Sequence, residues 1–451
     1  MRARFVLAFL VLAAVAARAP GVAHANGRFP RSTKLIVRPG HPTEMALGAT
    51  FGLLVTKDDG AHWTWTCESA VGFMGTFDPD YEYTAGGSIF ATTFGGLTVT
   101  HDGCHWEHMP APLGTLYVPV VAVGPDDVVY AAASDPADSR IFKSTDDGQS
   151  FTPLGAVGQA GDWWTSIEVA PSDAHRIYLA GFRAMGDNPR VRILFRSTDG
   201  GESWTELPTT QLVGTDNSDL QIAAISPLDP DRVFMRVTLT GPALQETIYL
   251  SEDAGAAPPA GPTWTKVIEV PDNIPGVVVR ADGSVWAATP FYGLKKSTDG
   301  GRTFSDVPGV TYEGRCLFER SDHVLFMCAN DLPPDERSLT SSTTGEAGTW
   351  TPRLRFADIT APIPCDQGTV QKDECEGIVW CGLADQLGIT ATPVDCELAV
   401  DAGIDAGAVS PPGKSCCDTG GGPPTLETGL ILLGLRPWRR RRGRRAAARA
   451  A

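Results

Sequence analysis

One short segment recurs seven times along this chain, and it constrains the fold more than any other feature. Its full form is Ser/Thr-x-Asp-x-Gly-x-x-Trp/Phe, which we call the box. Four copies match it completely, and they are Thr56–Trp63, Ser144–Phe151, Ser197–Trp204 and Ser297–Phe304. Three copies are imperfect: one lacks a residue (Thr100–Trp106), one carries an Ala/Pro insertion (Ser251–Trp264), and one has Thr343 where Asp is expected (Ser341–Trp350).

The box has the chemistry of a tight hairpin turn. Its hydroxyl and carboxylate can accept hydrogen bonds from the N–H groups of the turn, its Gly can adopt a positive φ, and its aromatic ring can cover the turn. Because each Asp is committed to its own turn, we expect a structural role rather than a catalytic one for the six box aspartates. They are Asp58, Asp102, Asp146, Asp199, Asp253 and Asp299.

The spacing of the boxes predicts the architecture. Successive boxes are 44 to 54 residues apart, which is the period of a four-stranded propeller blade. Two apolar, β-branched stretches joined by a polar turn precede each box, as in Leu35–Val37 and Met45–Leu47. The second repeat is the least clear, with Phe73–Gly75 before Ile89–Phe90. We therefore predict an all-β fold, a single seven-bladed propeller over residues 26–355, with strands A, B, C, box turn and D in each blade.

These repeats resemble the Asp-box, or BNR, propellers, which include sialidase-like, sortilin-like and photosystem-II-assembly-factor-like proteins. The resemblance covers residues 30–355 of the 451. It implies the fold more than the function, because that family includes hydrolases, receptors and assembly chaperones on one scaffold.

Both ends of the chain have the composition of targeting segments. Arg2 and Arg4 precede an apolar run that ends before small residues at 23–25, so we expect residues 1–25 to be a cleaved signal peptide. A single membrane anchor is the alternative, but the run is short for a span. The protein is thus expected to be exported, and either secreted or held at the cell surface.

The C-terminal end is basic. A Gly/Ala/Asp linker (401–415) precedes residues 416–451, in which Cys416 and Cys417 are followed by glycines, a short apolar stretch and an arginine cluster. This order resembles the C-terminal sorting tails of myxobacterial surface proteins, which implies processing near the cysteines and membrane contact only through the tail. A soluble basic tail is the alternative.

The charge distribution excludes one class of partner. The net charge is −16, and it becomes −27 without the eight Arg of the last 16 residues and the three Arg of the first 25. A propeller body with this negative charge repels the phosphate backbone of nucleic acids. We therefore expect no nucleic-acid partner. We find no metal-ligand spacing, nucleophile elbow or phosphate-binding loop, so no cofactor is predicted, and we expect a monomer.

Ten cysteines in an exported chain indicate disulfides. Residues 356–400 carry four of them and few strand signals, so a Cys-rich appendage with two disulfides is expected among Cys365, Cys375, Cys381 and Cys396. Zinc is the alternative there, although no C-x-x-C pair is present. Within the propeller we expect a Cys316–Cys328 bond across the A–B hairpin of blade 7, and a Cys67–Cys104 bond between blades 1 and 2.

A candidate ligand face follows from the propeller geometry. The A–B turns and the boxes share one face, and the B–C and D–A loops form the other, where we expect a partner to bind. Aromatic residues recur in these loops, and exposed aromatics are typical of binding surfaces. The candidates are Phe51, Phe94, Asp162, Trp163, Trp164, Phe182, Phe291 and Tyr292. The alternative is that these side chains pack between blades.

The predicted function is non-catalytic binding of an envelope protein or a glycan through this face. A sialidase-like glycoside hydrolase is the alternative, since resemblance to that family implies an arginine triad for a substrate carboxylate beside a Tyr/Glu pair. Only two segments of this sequence partly match that pattern: Arg28–Pro30, and Tyr312–Glu313 with Arg315. Three arginines converging in the central channel beside a Tyr/Glu pair would favour the hydrolase. A structural surface protein is the third hypothesis, favoured if the aromatics are buried.

Overall fold

The computed structural model describes residues 29–73, 78–135, 139–185, 188–212, 218–239 and 244–396. The expected signal peptide, linker and sorting tail, with Cys416 and Cys417, lie outside the described residues. Within the described part, every helix is too short or too polar to cross a membrane.

Seven antiparallel sheets of four consecutive strands form a seven-bladed β-propeller, as the repeat predicted. Blades 1 to 3 consist of β1 (Ser32–Val37), β2 (Met45–Ala49), β3 (Gly52–Thr56), β4 (Thr64–Thr66); β5 (Tyr81–Tyr83), β6 (Ile89–Thr93), β7 (Gly96–Thr100), β8 (Glu107–His108); β9 (Val120–Val123), β10 (Val129–Ala133), β11 (Arg140–Ser144), β12 (Thr152–Pro153). Blades 4 and 5 consist of β13 (Asp162–Ala170), β14 (Asp173–Met185), β15 (Asn188–Ser197), β16 (Thr205–Glu206); β17 (Asp219–Ile225), β18 (Val233–Leu239), β19 (Gln245–Ser251), β20 (Thr265–Val270). Blades 6 and 7 consist of β21 (Gly276–Val279), β22 (Val285–Ala288), β23 (Leu294–Ser297), β24 (Ser305–Asp306); β25 (Cys316–Glu319), β26 (Leu325–Cys328), β27 (Leu339–Ser342), β28 (Thr351–Leu354).

The core lies between neighbouring blades, and the second strand of each blade is its most buried element. In β10, for example, all five residues are buried because the sheet has a neighbouring blade on each face. An aromatic residue follows an aliphatic one in six of these strands and points toward the next blade. The six are Phe90, Tyr130, Tyr178, Phe234, Trp286 and Phe326.

The box turns are closed by their own side chains. In blade 3, the Ser144 hydroxyl donates to Asp146 (2.8 Å) and accepts the Gly148 N–H (3.0 Å). Asp146 also accepts the Ser150 N–H at 2.9 Å. In blade 5 the Ala/Pro insertion loops out, and Asp253 still accepts the Thr263 N–H at 2.7 Å. The boxes that keep the Asp therefore end their C strands with hydrogen bonds from their own turn to this carboxylate.

Two sequence assignments need correction. In blade 7 the box begins at Ser342 rather than Ser341, because the Ser342 hydroxyl accepts the Gly345 N–H (2.8 Å). In blade 2 the first strand of the sheet is β5, later than the predicted Phe73–Gly75, of which Met74 and Gly75 lie outside the described residues. A short helix, α1 (Glu68–Val71), occupies the chain before it and ends at Gly72, whose φ is 98°.

The segment after blade 7 crosses to blade 1. It contains a 3₁₀ turn (Phe356–Asp358), a short strand β29 (Ala361–Pro362), a π-helix (Gln371–Val379) and helix α2 (Trp380–Leu387). Strand β29 pairs in parallel with β4 on the outer edge of blade 1. The fully buried Trp380 packs on Trp65, with the ring centroids 5.5 Å apart.

Four disulfides are present among the described cysteines. The expected Cys316–Cys328 bond joins paired positions of β25 and β26. The expected Cys67–Cys104 bond is wrong, because Cys67 bonds to Cys375 and Cys104 to Cys365. Only Cys381–Cys396 is internal to the appendage, so the expectation of two internal disulfides there is also wrong. The crossing of this segment brings its cysteines to blades 1 and 2.

Candidate functional site

The loop face, formed by the B–C and D–A loops, carries most of the exposed large hydrophobic side chains. Of eleven in the described part of the chain, seven lie in or beside these loops: Phe29, Phe94, Val191, Leu244, Phe291, Tyr292 and Leu332. Leu228 lies on the box face, and three more lie in the C-terminal segment. Such a one-sided distribution is typical of an interaction surface.

Four aromatic side chains form a continuous line on this face across blades 2, 3 and 4. The ring centroids of Phe94 and Tyr117 are 5.6 Å apart, and those of Tyr117 and Trp163 are also 5.6 Å apart. Phe182 follows at 6.4 Å from Trp163, and the Arg190 guanidinium lies 4.1 Å from the Phe182 centroid. We call Phe94, Tyr117, Trp163 and Phe182 the aromatic row.

Long strands in blade 4 position half of this row. Strands β14 and β15 have 13 and 10 residues, which raises their hairpin above the loop face. Trp163 and Phe182 are paired across β13 and β14. Beside them, Asp162 accepts two hydrogen bonds from Arg183, at 2.6 and 2.7 Å, and braces the hairpin.

Five of the eight predicted ligand-face residues are accessible. Phe94, Phe291 and Tyr292 are 63%, 72% and 46% exposed, and Trp163 and Phe182 are partly exposed. Phe291 and Tyr292 lie in the B–C loop of blade 6, away from the aromatic row.

The prediction of an accessible ligand-face side chain was wrong for three residues, which are buried: Phe51, Asp162 and Trp164. Phe51 packs edge-on against Phe356 at 4.9 Å, and the Trp164 indole donates to the Ala133 carbonyl at 3.1 Å. Trp164 follows Trp163 on a strand and so points to the opposite face.

Tyr117 was not predicted. It lies in the D–A loop before β9, and the loop-face argument that selected Trp163 would have selected it too.

A separate cavity of about 530 Å³ opens at the loop-face mouth of the central channel. Arg31, Arg236 and Arg315 line it, from blades 1, 5 and 7. Arg236 donates to the Ile274 carbonyl (2.9 Å) and to Gln221, and burial lowers its pKa. Arg315 donates to Glu313 at 2.5 Å. Three arginines therefore line one cavity, as the hydrolase hypothesis required, but only Arg315 among them was a predicted residue. Arg28 lies outside the described residues.

The Tyr/Glu half of that pattern is arranged differently. Among the described residues lining this cavity there is no tyrosine. The Tyr312 hydroxyl accepts a hydrogen bond from Arg337 at 3.1 Å. Glu246 does line the cavity, and its carboxylate accepts from the Thr238 hydroxyl (2.8 Å) and the Ile274 N–H (2.5 Å).

Deeper in the channel, a cavity of about 480 Å³ holds a cluster of charged groups. The Lys34 ammonium lies 2.6 Å from Asp80 and 2.8 Å from Glu82, and these carboxylates raise the pKa of Lys34 against the opposing effect of burial. Across the channel, desolvation raises the pKa of Glu168 to about 8. Lys34 opposes that rise, while Glu82 and Asp80 add to it.

No protein-family model matches the sequence, and no curated protein matches it. Solved structures do. The extracellular domain of the hybrid two component system BT4673 from B. thetaiotaomicron is 11% identical over 71% of this chain and 39% of that chain, with a TM-score of 0.47. YCF48 from Cyanidioschyzon merolae is 16% identical (66% of this chain, 92% of that chain, TM-score 0.45). The GH74 xyloglucanase from Xanthomonas campestris is also 16% identical (70% and 57%, TM-score 0.33). These likenesses extend to the propeller fold alone.

Proposed function

We propose that this protein is an exported, non-catalytic binding module that recognises an envelope protein or a glycan through its loop face. The aromatic row carries the proposal. Large rigid aromatic side chains contribute most to binding energy per residue, because they bury much apolar area at little conformational cost. Phe94 is 63% exposed, and its ring stacks on Tyr117 at one end of the row.

Export is part of the same proposal. Four disulfides among the described residues suit an oxidising compartment. The N-terminal signal, the C-terminal sorting tail and membership of the Asp-box propellers remain proposals from the sequence. Binding at a cell surface is the use that an exported module of this kind would serve.

The test is a binding screen with the chain lacking residues 1–25, against a glycan array and against an envelope-protein extract. We expect saturable binding that Trp163→Ala and Phe94→Ala each weaken by about 1–3 kcal/mol, as for interface aromatics generally. Leu228→Ala is the matched control, since Leu228 is 62% exposed but lies on the box face. Equal binding by all three variants would reject the aromatic row as the site.

A glycoside hydrolase is the second candidate, and the meeting of Arg31, Arg236 and Arg315 at one cavity is the observation that favours it. Guanidinium groups suit a carboxylate-bearing substrate. Assays with acidic and neutral aryl glycosides decide between the two. Turnover that Arg236→Gln abolishes would establish the hydrolase and overturn the non-catalytic proposal.

A further inference from the structure

The rings of the aromatic row cover one another's faces. The ring planes of Phe94 and Tyr117 differ by 17° and those of Trp163 and Phe182 by 8°, so each of these two pairs is stacked. The Arg190 guanidinium lies over the Phe182 ring as well. Tyr117, Trp163 and Phe182 are accordingly only partly exposed. The row therefore presents ring edges, rather than open ring faces, to solvent.

Covered ring faces favour a polypeptide partner over a glycan. The C–H groups of a sugar ring bind an aromatic side chain from above, because the face of the ring carries the negative part of its quadrupole. A face that already lies against another ring cannot accept a sugar in this way. The apolar side chains of a polypeptide can pack on ring edges, because the hydrophobic effect is non-directional.

The spacing of the row also fits a polypeptide. Successive ring centroids from Phe94 to Phe182 are 5.6, 5.6 and 6.4 Å apart. Side chains on one face of regular secondary structure recur at similar intervals, about 6.6 Å on a strand and about 5–6 Å on a helix. An apolar stripe of a protein partner therefore brings one side chain to each successive ring.

A cation lies at the blade 4 end of the row. The Arg190 guanidinium is 4.1 Å from the Phe182 ring centroid, and the Arg190 side chain is 45% exposed. Stacking on a ring orients the guanidinium plane and leaves its N–H groups pointing outward in that plane. Among the described residues, only Asp219 accepts a hydrogen bond from this guanidinium, from Nη1 at 3.3 Å. The other N–H groups remain available to a partner.

The pair with Asp219 does not occupy Arg190 in the way that Asp162 occupies Arg183. Arg183 donates two hydrogen bonds to the buried Asp162, at 2.6 and 2.7 Å. Asp219, by contrast, is 35% exposed, and exposed ion pairs of this kind contribute little to stability. A carboxylate from a partner can therefore join or replace Asp219 at little cost, and it would form a charge-assisted hydrogen bond.

We propose that the aromatic row binds a protein partner through a segment with an apolar stripe and an acidic residue at its end, whose carboxylate pairs with Arg190. This inference rests on the proposed function, because it uses the same loop-face site. It commits that site to a polypeptide and names the two features that the partner's segment must have.

The experiment is binding of the full chain to an array of synthetic peptides of about twelve residues, long enough to follow four rings as a strand or as a helix. Each peptide carries an apolar stripe at strand or helix spacing and ends in glutamate, and each has a twin that ends in glutamine. A glycan array is probed with the same protein. We expect saturable binding to the peptides, with the glutamate member of a pair bound about tenfold more tightly than its twin.

Two kinds of variant separate the contributions. Arg190→Gln is expected to abolish the preference for glutamate and to leave binding of the glutamine twins unchanged, and it preserves the fold because Arg190 is exposed. Trp163→Ala is expected to weaken binding of both twins, and its melting temperature shows whether it is folded. Arg302→Gln is the matched control, since Arg302 is 54% exposed but lies on the box face. It should leave all binding intact.

Glycan binding that Trp163→Ala removes, without any peptide binding, would overturn this inference and leave the proposed function standing. Equal affinity for the two twins, or a glutamate preference that survives Arg190→Gln, would overturn it as well. If neither array binds the protein, the inference also fails, and the screen with the envelope-protein extract then decides the proposed function separately.

Discussion

Single glycines in the boxes decide how closely neighbouring blades approach. Gly148 has a φ of 81°, and a Cβ there would lie 2.3 Å from Cζ of Phe90 in the preceding blade. Gly301 and Gly345 have the same relation to Phe234 and Trp286. The box glycine thus has two roles. It adopts the positive φ that the turn requires, and its lack of a Cβ leaves room for an aromatic ring of the preceding blade.

Gly148→Ala is therefore expected to destabilise the protein by about 2–4 kcal/mol, since it adds overpacking to the strain of an L-residue at positive φ. Gly40→Ala isolates the second effect, because Gly40 has a φ of 79° and open space around its Cβ position. We expect Gly40→Ala to cost about 1 kcal/mol. Urea midpoints of the two variants measure the difference. Equal midpoints would mean that Phe90 moves aside at no cost.

Glu168 in the channel is expected to make stability depend on pH. Its folded pKa of about 8 lies above its ordinary value of 4.5, so the folded state binds its proton more tightly than the unfolded state. Its contribution is complete below pH 4.5 and is lost as the pH rises through 8. Glu168 is exposed to the channel, so solvent screening keeps this change in stability small.

Glu168→Gln removes this dependence. Melting temperatures measured from pH 5 to pH 9 should show the variant gaining on the wild type as the pH rises, with the largest gain above pH 8. Glu206→Gln is the control, because Glu206 is exposed on the outer strand of the same blade. A gain that does not change with pH would contradict the prediction.

At the scale of elements, the sequence predicted most strands because each box fixes a turn and the period fixes the next one. It failed where the chain departs from the repeat, as where α1 displaces the first strand of blade 2 to Tyr81–Tyr83. A periodic pattern locates insertions poorly, since an inserted helix also carries buried apolar residues such as Val71.

The candidate ligand face was predictable in part for the same reason. Loop position alone selected Phe94 and Trp163. It could not show that Trp163 is accessible and Trp164 buried, because that difference depends on both residues lying in strand β13, where neighbouring side chains point to opposite faces of the sheet. Phe51 was misjudged because its partner, Phe356, lies 305 residues away in a segment whose course no local pattern specifies. The disulfide pairing of Cys67 and Cys104 depends on that same course.

At the scale of the whole propeller, the ring closes between blades 7 and 1 by contacts of different kinds. The Ser32 hydroxyl donates to the Ser338 carbonyl at 2.8 Å, and Arg320 pairs with Asp59. The C-terminal segment then reinforces blade 1 from outside through β29 and the Cys67–Cys375 bond. Because every blade is built from consecutive strands, the ring closes through such contacts between blades 7 and 1, together with the apolar core that the two blades share.

The Cys67–Cys375 bond is therefore expected to stabilise the closed ring more than the hairpin bond does. It joins residues 308 positions apart, whereas Cys316–Cys328 spans 12. In the loop-entropy account a longer loop restricts the unfolded chain more, and loss of a native disulfide costs about 2–5 kcal/mol.

Urea unfolding should show a larger loss of unfolding free energy for Cys67→Ser/Cys375→Ser than for Cys316→Ser/Cys328→Ser. Limited proteolysis should also cut the first variant sooner within residues 356–396, since one of the two disulfides that tie this segment to the propeller is then lost and Cys104–Cys365, the β29 pairing and packing are left. An equal or greater loss in the hairpin variant would show that the ring is closed by the blade 7 and blade 1 contacts without help from the C-terminal segment.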